Sequence, residues 1–152
     1  MSETARAMLM YGYDLGGNNV QGWAIRGVDA GQDWWPSWLN DRPSISNFSW
    51  VEAVTARLAT ARAEALVVDA DAGQLMYGVN LVPYGHYSDR SYALITHEQE
   101  AYLDRAQTVD PSVFLNTGAT IAWDRQLTWA LQALQLNPVQ VQPRWLLASG
   151  CD

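Results

Sequence analysis

Two stretches of helical period, each leading into residues that alternate with period two, constrain this chain more than any other feature. Val51, Val54, Leu58, Ala61 and Ala65 recur at helical spacing behind Ser49 and Glu52, an S-x-x-E capping box, and predict a helix over about 49–66. Its other face carries Glu52, Arg57, Arg62 and Glu64, an ordinary solvated surface. Trp123, Leu127, Ala130, Leu131 and Leu134 share a second helical face, with Asp124 in the first turn and Asn137-Pro138 as the stop, which predicts a helix over about 121–136. Between the two, Leu75, Tyr77, Val79 and Leu81 alternate until GHYSDR turns the chain back into SYALIT, the pattern of a hairpin. Pro83 lacks an amide donor and so belongs at an edge, a bulge or a strand end.

The flanks are read the same way. A strand at about 8–13 runs into DLGGNN, where Gly16, Gly17, Asn18 and Asn19 tolerate positive φ, and then into a short strand around GWAIRG, so an N-terminal hairpin is expected. QPRWLLAS reads as a closing strand. The stretch 98–119 stays open: HEQEAYLDRAQTV fits a strand extension or a helical turn, and DPSVFLNTGAT a loop with a turn at Pro111. The result is one α+β domain over 1–152, built from antiparallel hairpins and two main helices. Tyr92, Leu94 and Thr96 match Trp145, Leu147 and Ser149 as aromatic-x-Leu-x-hydroxyl, as a pseudo-duplicated helix–strand unit would give, although short apolar strands also look alike by chance.

Composition narrows the function classes. A chain of 152 residues, 49% apolar and 16% charged, is globular, and at this length about 68–70% of the unfolded surface is buried without disulfide staples. No apolar run approaches the ~18 residues of a membrane span, and MSETARAMLM is not a secretory signal, so a cytoplasmic setting with no membrane partner is expected. Sixteen acids against nine bases give a net charge of −7, and the nine arginines are scattered, which argues against a nucleic-acid groove. Cys151 is alone and cannot form an internal disulfide.

YGYDLGG near the start, PSWL after it, GVNLVPYG followed by YALIT, and the closing WD-x-x-L, AL-x-x-L and PRWLLAS resemble, over nearly the whole chain, a set of small uncharacterised proteins of actinobacteria and their phages. The lysine-free composition, rich in Ala, Gly, Asp and Trp, fits such a GC-rich source. The resemblance implies an actinobacterial or phage-related setting, with host-modulating or anti-defence binding as a conjecture, and brings no residue roles with it.

Chemistry-bearing motifs are sparse. Asp14 with Asn18 and Asn19 lacks the ligand series and bidentate Glu of an EF-type calcium loop, and Asx-turn chemistry accounts for the same residues. His86 and His97 are the only histidines, and with no cysteine in reach no zinc pattern forms. There is no G-x-S-x-G elbow around Ser88 or Ser91, and LGGNNVQG is not a phosphate-binding loop. Neither a metal nor a cofactor is expected, and an enzyme is the less favoured class.

Tryptophan is the strong deviation, with eight residues, three of them inside GQDWWPSWLND. Trp23, Trp50, Trp123 and Trp145 read as core. Trp129 lies off the stripe of its helix, beside Ala122, Ala133 and Leu136, and adjacent Trp34 and Trp35 point in opposite directions if extended. Trp34, Trp35, Trp38 and Trp129 are therefore candidate anchors for a protein partner or a homodimer, weighed against plain core packing. The alternative is a sugar or nucleobase stacked on aromatic rings, with Asp14, Asn18, Asp41 and His86 supplying polar contacts.

Overall fold

The structure is a computed structural model that describes residues 5–17, 22–25, 38, 48–68 and 78–151. Its elements are β1 (Ala5–Gly17), β2 (Trp23–Ile25), α1 (Phe48–Val68), β3 (Asn80–His86), β4 (Asp89–Tyr102), a 3₁₀ turn (Pro111–Leu115), α2 (Thr117–Leu134), β5 (Leu136–Pro138) and β6 (Arg144–Cys151). The α+β class is as the periodicities predict.

β1 and β4 form a long antiparallel ribbon, and the remaining strands attach to opposite halves of it. β6 pairs with the first half of β1, from Ala5 opposite Cys151 to Gly12 opposite Arg144. β3 pairs with the first half of β4, from His86 opposite Asp89 to Asn80 opposite Ile95. The ring β1–β4–β3–β6 then closes through a parallel contact of only two residue pairs, Gly85 with Gly150 and His86 with Cys151. Two register shifts bend the ribbon enough for this, one between Tyr11 and Gly12 and one between Asp14 and Gly16. Gly12 sits at the first: a Cβ there would lie 2.0 Å from the Leu94 carbonyl oxygen. Only glycine lets the strands approach so closely.

The expected N-terminal hairpin does not form, because β2 pairs with β5 in a separate two-stranded sheet and β1 takes β4 and β6 as partners. The β3–β4 hairpin turns at residues 87 and 88, as GHYSDR predicts. HEQEAY resolves as strand, since β4 continues to Tyr102. α2 begins earlier than the apolar stripe suggests, because the Asn116 side chain accepts from the Ala119 amide at 3.1 Å and caps it there. It also ends earlier, with Gln135 in the left-handed region at φ 56°.

The curled ribbon separates two cores. On one face Tyr11, Tyr13, Leu15, Leu81, Tyr92 and Leu94 pack against Trp50, Val54 and Leu58 of α1 and Leu127, Ala130, Leu131 and Leu134 of α2. On the other, Met8, Met10, Ala93 and Ile95 are buried with partly buried Val82, Tyr84, Leu146 and Ala148 packed against them. The helix core is closed at one end by tryptophan: Trp23 and Trp38 both stack on the fully buried Trp50, at 5.4 and 6.4 Å between ring centroids. The last carbonyls of α2, which lack helical partners, are met from outside. Trp38 Nε1 donates to Leu134 O at 2.7 Å and Arg57 Nε to Ala133 O at 3.0 Å, the latter also setting a cation at the negative end of the helix dipole. Tyr92 and Leu94 are buried while Leu147 is 80% exposed, so the positions matched between the two helix–strand units do not share environments.

Candidate functional site

The inner core is incompletely filled. Since β3 and β6 touch only at their last residues, a seam stays open between them, and a cleft of about 370 Å³ opens there onto Met10, Asp14, Tyr84, Gly85 and the run Leu146–Ser149. A second cleft of about 410 Å³, lined by Asp14, Gly16, Gly22, Tyr84, Ser91, Val139 and Gln140, shares the same two side chains. Asp14 and Tyr84 thus form a wall common to both spaces.

This wall is held in place by hydrogen bonds. Tyr84 donates its hydroxyl to Asp14 Oδ1 at 2.6 Å, and the same oxygen accepts the Gly16 amide at 2.9 Å, the Asx contact that the DLGG sequence suggests. The Asp14 amide donates to Gln140 Oε1 at 2.9 Å. Gln140 Nε2 donates to the carbonyls of Gly12 and Gln142 at 2.8 and 2.7 Å, which fixes the orientation of the amide. Burial first, and then the hydrogen bond to Asp14, push the Tyr84 hydroxyl well above its ordinary value of 10.0, while Ser91 contacts its oxygen and works the other way. Tyr84 is therefore a neutral phenol at physiological pH.

Trp34, Trp35, Asn18 and Asp41 lie outside the described residues. Trp38 is part of the cap on the helix core, through Trp50 and Leu134 O. Trp129 packs its inner part on that core and shows its outer part to a shallow groove with Ile121, Asp124, Arg125, Thr128 and Gln132. His86 is exposed at the hairpin turn, where its Nδ1 meets Ser88 Oγ at 2.7 Å and the Ser88 amide at 3.2 Å and its ring lies 4.3 Å from that of Tyr87. Those contacts close a turn. Among the described residues no three Asp, Glu, His or Cys side chains converge as a metal site would need, and no helix is long and apolar enough to cross a membrane.

His97 sits in a second aromatic group, stacked on Trp123 at 5.2 Å and edge-on to Trp145 at 5.5 Å, with Tyr11 between the same two indoles. Tyr11 donates to Asp124 Oδ1 at 2.6 Å, and burial followed by that carboxylate pushes its hydroxyl upward. The rings fill one another's space, so the group stitches α2 and β6 to β1. Trp123 and Trp145, expected as core from the sequence, are partly buried and pack against the helix core.

Asp14 was visible in the sequence, whereas its partners were not. Tyr84 stands at an alternating strand position like its neighbours, and nothing marks Gln140 among the five residues between β5 and β6 until the fold brings it across 126 positions to Asp14. Comparison with protein-family models, with curated proteins and with solved structures finds no match.

Proposed function

We propose that this protein is a small-ligand-binding domain whose site is the pair of clefts walled by Asp14 and Tyr84. The observation that supports this reading is the combination of an apolar floor, Met10, Leu146 and Ala148, with a polar wall rigidly held at the open seam. Concave, mostly apolar spaces with a few fixed polar groups are the usual form of a small-molecule site. Backbone chemical shifts recorded while titrating glucose, adenine and benzylamine test it. Shifts concentrated at Asp14, Tyr84, Gly85 and 146–149 are expected, and their absence at those positions overturns the reading.

A second reading, protein contact or self-association, is favoured by the groove on α2, where Ile121 is 55% exposed beside the outer part of Trp129. A concentration-dependent mass in sedimentation that Trp129→Ala abolishes would support it, and a wild type that stays monomeric would remove the self-association form.

A further inference from the structure

The structure assigns to the Asp14–Tyr84 site a ligand that donates hydrogen bonds through a primary ammonium group carried on a short apolar body. This deepens the proposed function and rests on it. The assignment follows from which hydrogen-bonding capacity the site has left. Gln140 has both amide hydrogens committed to Gly12 O and Gln142 O and its oxygen to the Asp14 amide, so it offers a ligand little. Tyr84 has given its only proton to Asp14 Oδ1, and keeps lone pairs alone. Asp14 Oδ1 receives both the Tyr84 hydroxyl and the Gly16 amide, while Oδ2 takes no hydrogen bond from a described residue.

The side chains that both clefts share therefore present acceptors, one of them carrying a full negative charge, and no side-chain donor. A carboxylate or phosphate ligand would meet repulsion there, and a neutral alcohol has one proton to donate and no charge to set against the carboxylate. An ammonium group has three donors, no acceptor, and the opposite charge. Arg144 is the cation nearest by register, opposite Gly12 on β6, and it forms no ion pair with Asp14, which leaves the carboxylate without an internal counter-charge among the described residues. Below the wall, Met10, Leu146 and Ala148 line about 370 Å³, room for a ring or a few methylenes and too little for a folded partner. The net charge of −7 draws cations toward the protein as a whole.

The test is a calorimetric and chemical-shift titration of the full chain with benzylamine, benzyl alcohol and benzoate, which share a body and differ in the head group, repeated on Asp14→Asn and Tyr84→Phe. Asparagine keeps an oxygen for Tyr84 and Gly16, so the fold is retained, and circular dichroism verifies this. The expected result is that benzylamine binds at Asp14, that Asp14→Asn weakens it by about tenfold or more through loss of a charge-assisted hydrogen bond, and that added salt weakens it in wild type and not in the variant. Nα-acetyl-lysine amide as a further probe separates a lysine side chain from a free amine as the source of the same ammonium chemistry. Equal binding of benzyl alcohol or preference for benzoate overturns the ammonium assignment while leaving the cleft as a site. Failure of all the probes to perturb residues 146–149 counts against the cleft reading itself.

Discussion

The β1–β4 ribbon shows one face to two helices and the other to its own curled ends, and the two faces use apolar residues differently. On the helix side Trp50, Tyr92, Leu94, Leu127 and Leu134 are almost wholly buried and the packing is capped by Trp23 and Trp38. On the inner side Met8, Met10, Ala93 and Ile95 are as deeply buried, yet Val82, Tyr84, Leu146 and Ala148 around them are only partly covered, and the last three border a cleft. Burial against a helix fills space on all sides, whereas a four-stranded ring that closes through two residue pairs leaves its seam open. The first face is a source of stability, and the second combines a small core with accessible space.

The largest effect expected from breaking this contrast is at Gly12, on which the curl depends. Gly12→Ala places a methyl 2.0 Å from Leu94 O and should cost about 4 kcal/mol or more, read as a shift in the urea midpoint; an unchanged midpoint would show that the ribbon can relax without its close approach. Next, matched truncations weigh the faces directly. Leu58→Ala on the helix side should cost about 2–5 kcal/mol as a cavity in a packed core, and Leu146→Ala on the cleft side about 1 kcal/mol, because part of that side chain already faces open space. Equal losses would mean that the inner face is packed as tightly as the outer.

The smallest effect is a pH dependence around Arg6, near the start of β1. There Arg6 reaches across to Glu100 Oε1 at 2.9 Å and toward Pro83 O at 3.4 Å, through room that Gly150 leaves by having no side chain. Loss of hydration, then the hydrogen bond and charge of Glu100, push the Glu98 carboxyl up from 4.5 to about 7, so it donates a proton to Glu100. That same bond holds Glu100 below its ordinary value, helped by Tyr102 and Arg6. Since the folded protein keeps a proton on Glu98 that the unfolded chain loses near pH 4.5, this contribution is complete below that pH and fades as pH rises to about 7. The Glu100 contribution has the opposite sign and fades on acidification. Glu98→Gln, which keeps the donor, should flatten the decline in melting temperature between about pH 4.5 and about pH 7; a slope unchanged by the substitution would show that the pair does not share a proton.

Much of the helix face was legible in the sequence. Val54, Leu58, Ala61, Leu127, Ala130, Leu131 and Leu134 are buried where their spacing places them, because an amphipathic stripe has one face to hide and the sheet is there to receive it. Trp38 in GQDWWPSWLND caps the core and covers a helix-end carbonyl, as the packing alternative for that stretch would have it. The inner face was far less legible. Strand alternation identifies two sides of β1 and β4 without saying which pairs with what, and the two register shifts exchange sides in mid-strand. The pairing of β2 with β5 in place of β1, and the approach of Gln140 to Asp14, depend on contacts more than 100 positions apart that no local pattern encodes.

The most direct test of the account is to fill the cleft. Ala148 lines it and packs on the inner core opposite Met8, so Ala148→Leu extends a side chain into the open space from a strand position that any residue accepts. Melting temperature and benzylamine binding would be measured on the same sample. The account predicts a folded protein with an unchanged or raised melting temperature and no binding at Asp14. A protein that fails to fold, or one that binds as wild type does, would contradict the claim that this space is open and is where the ligand sits.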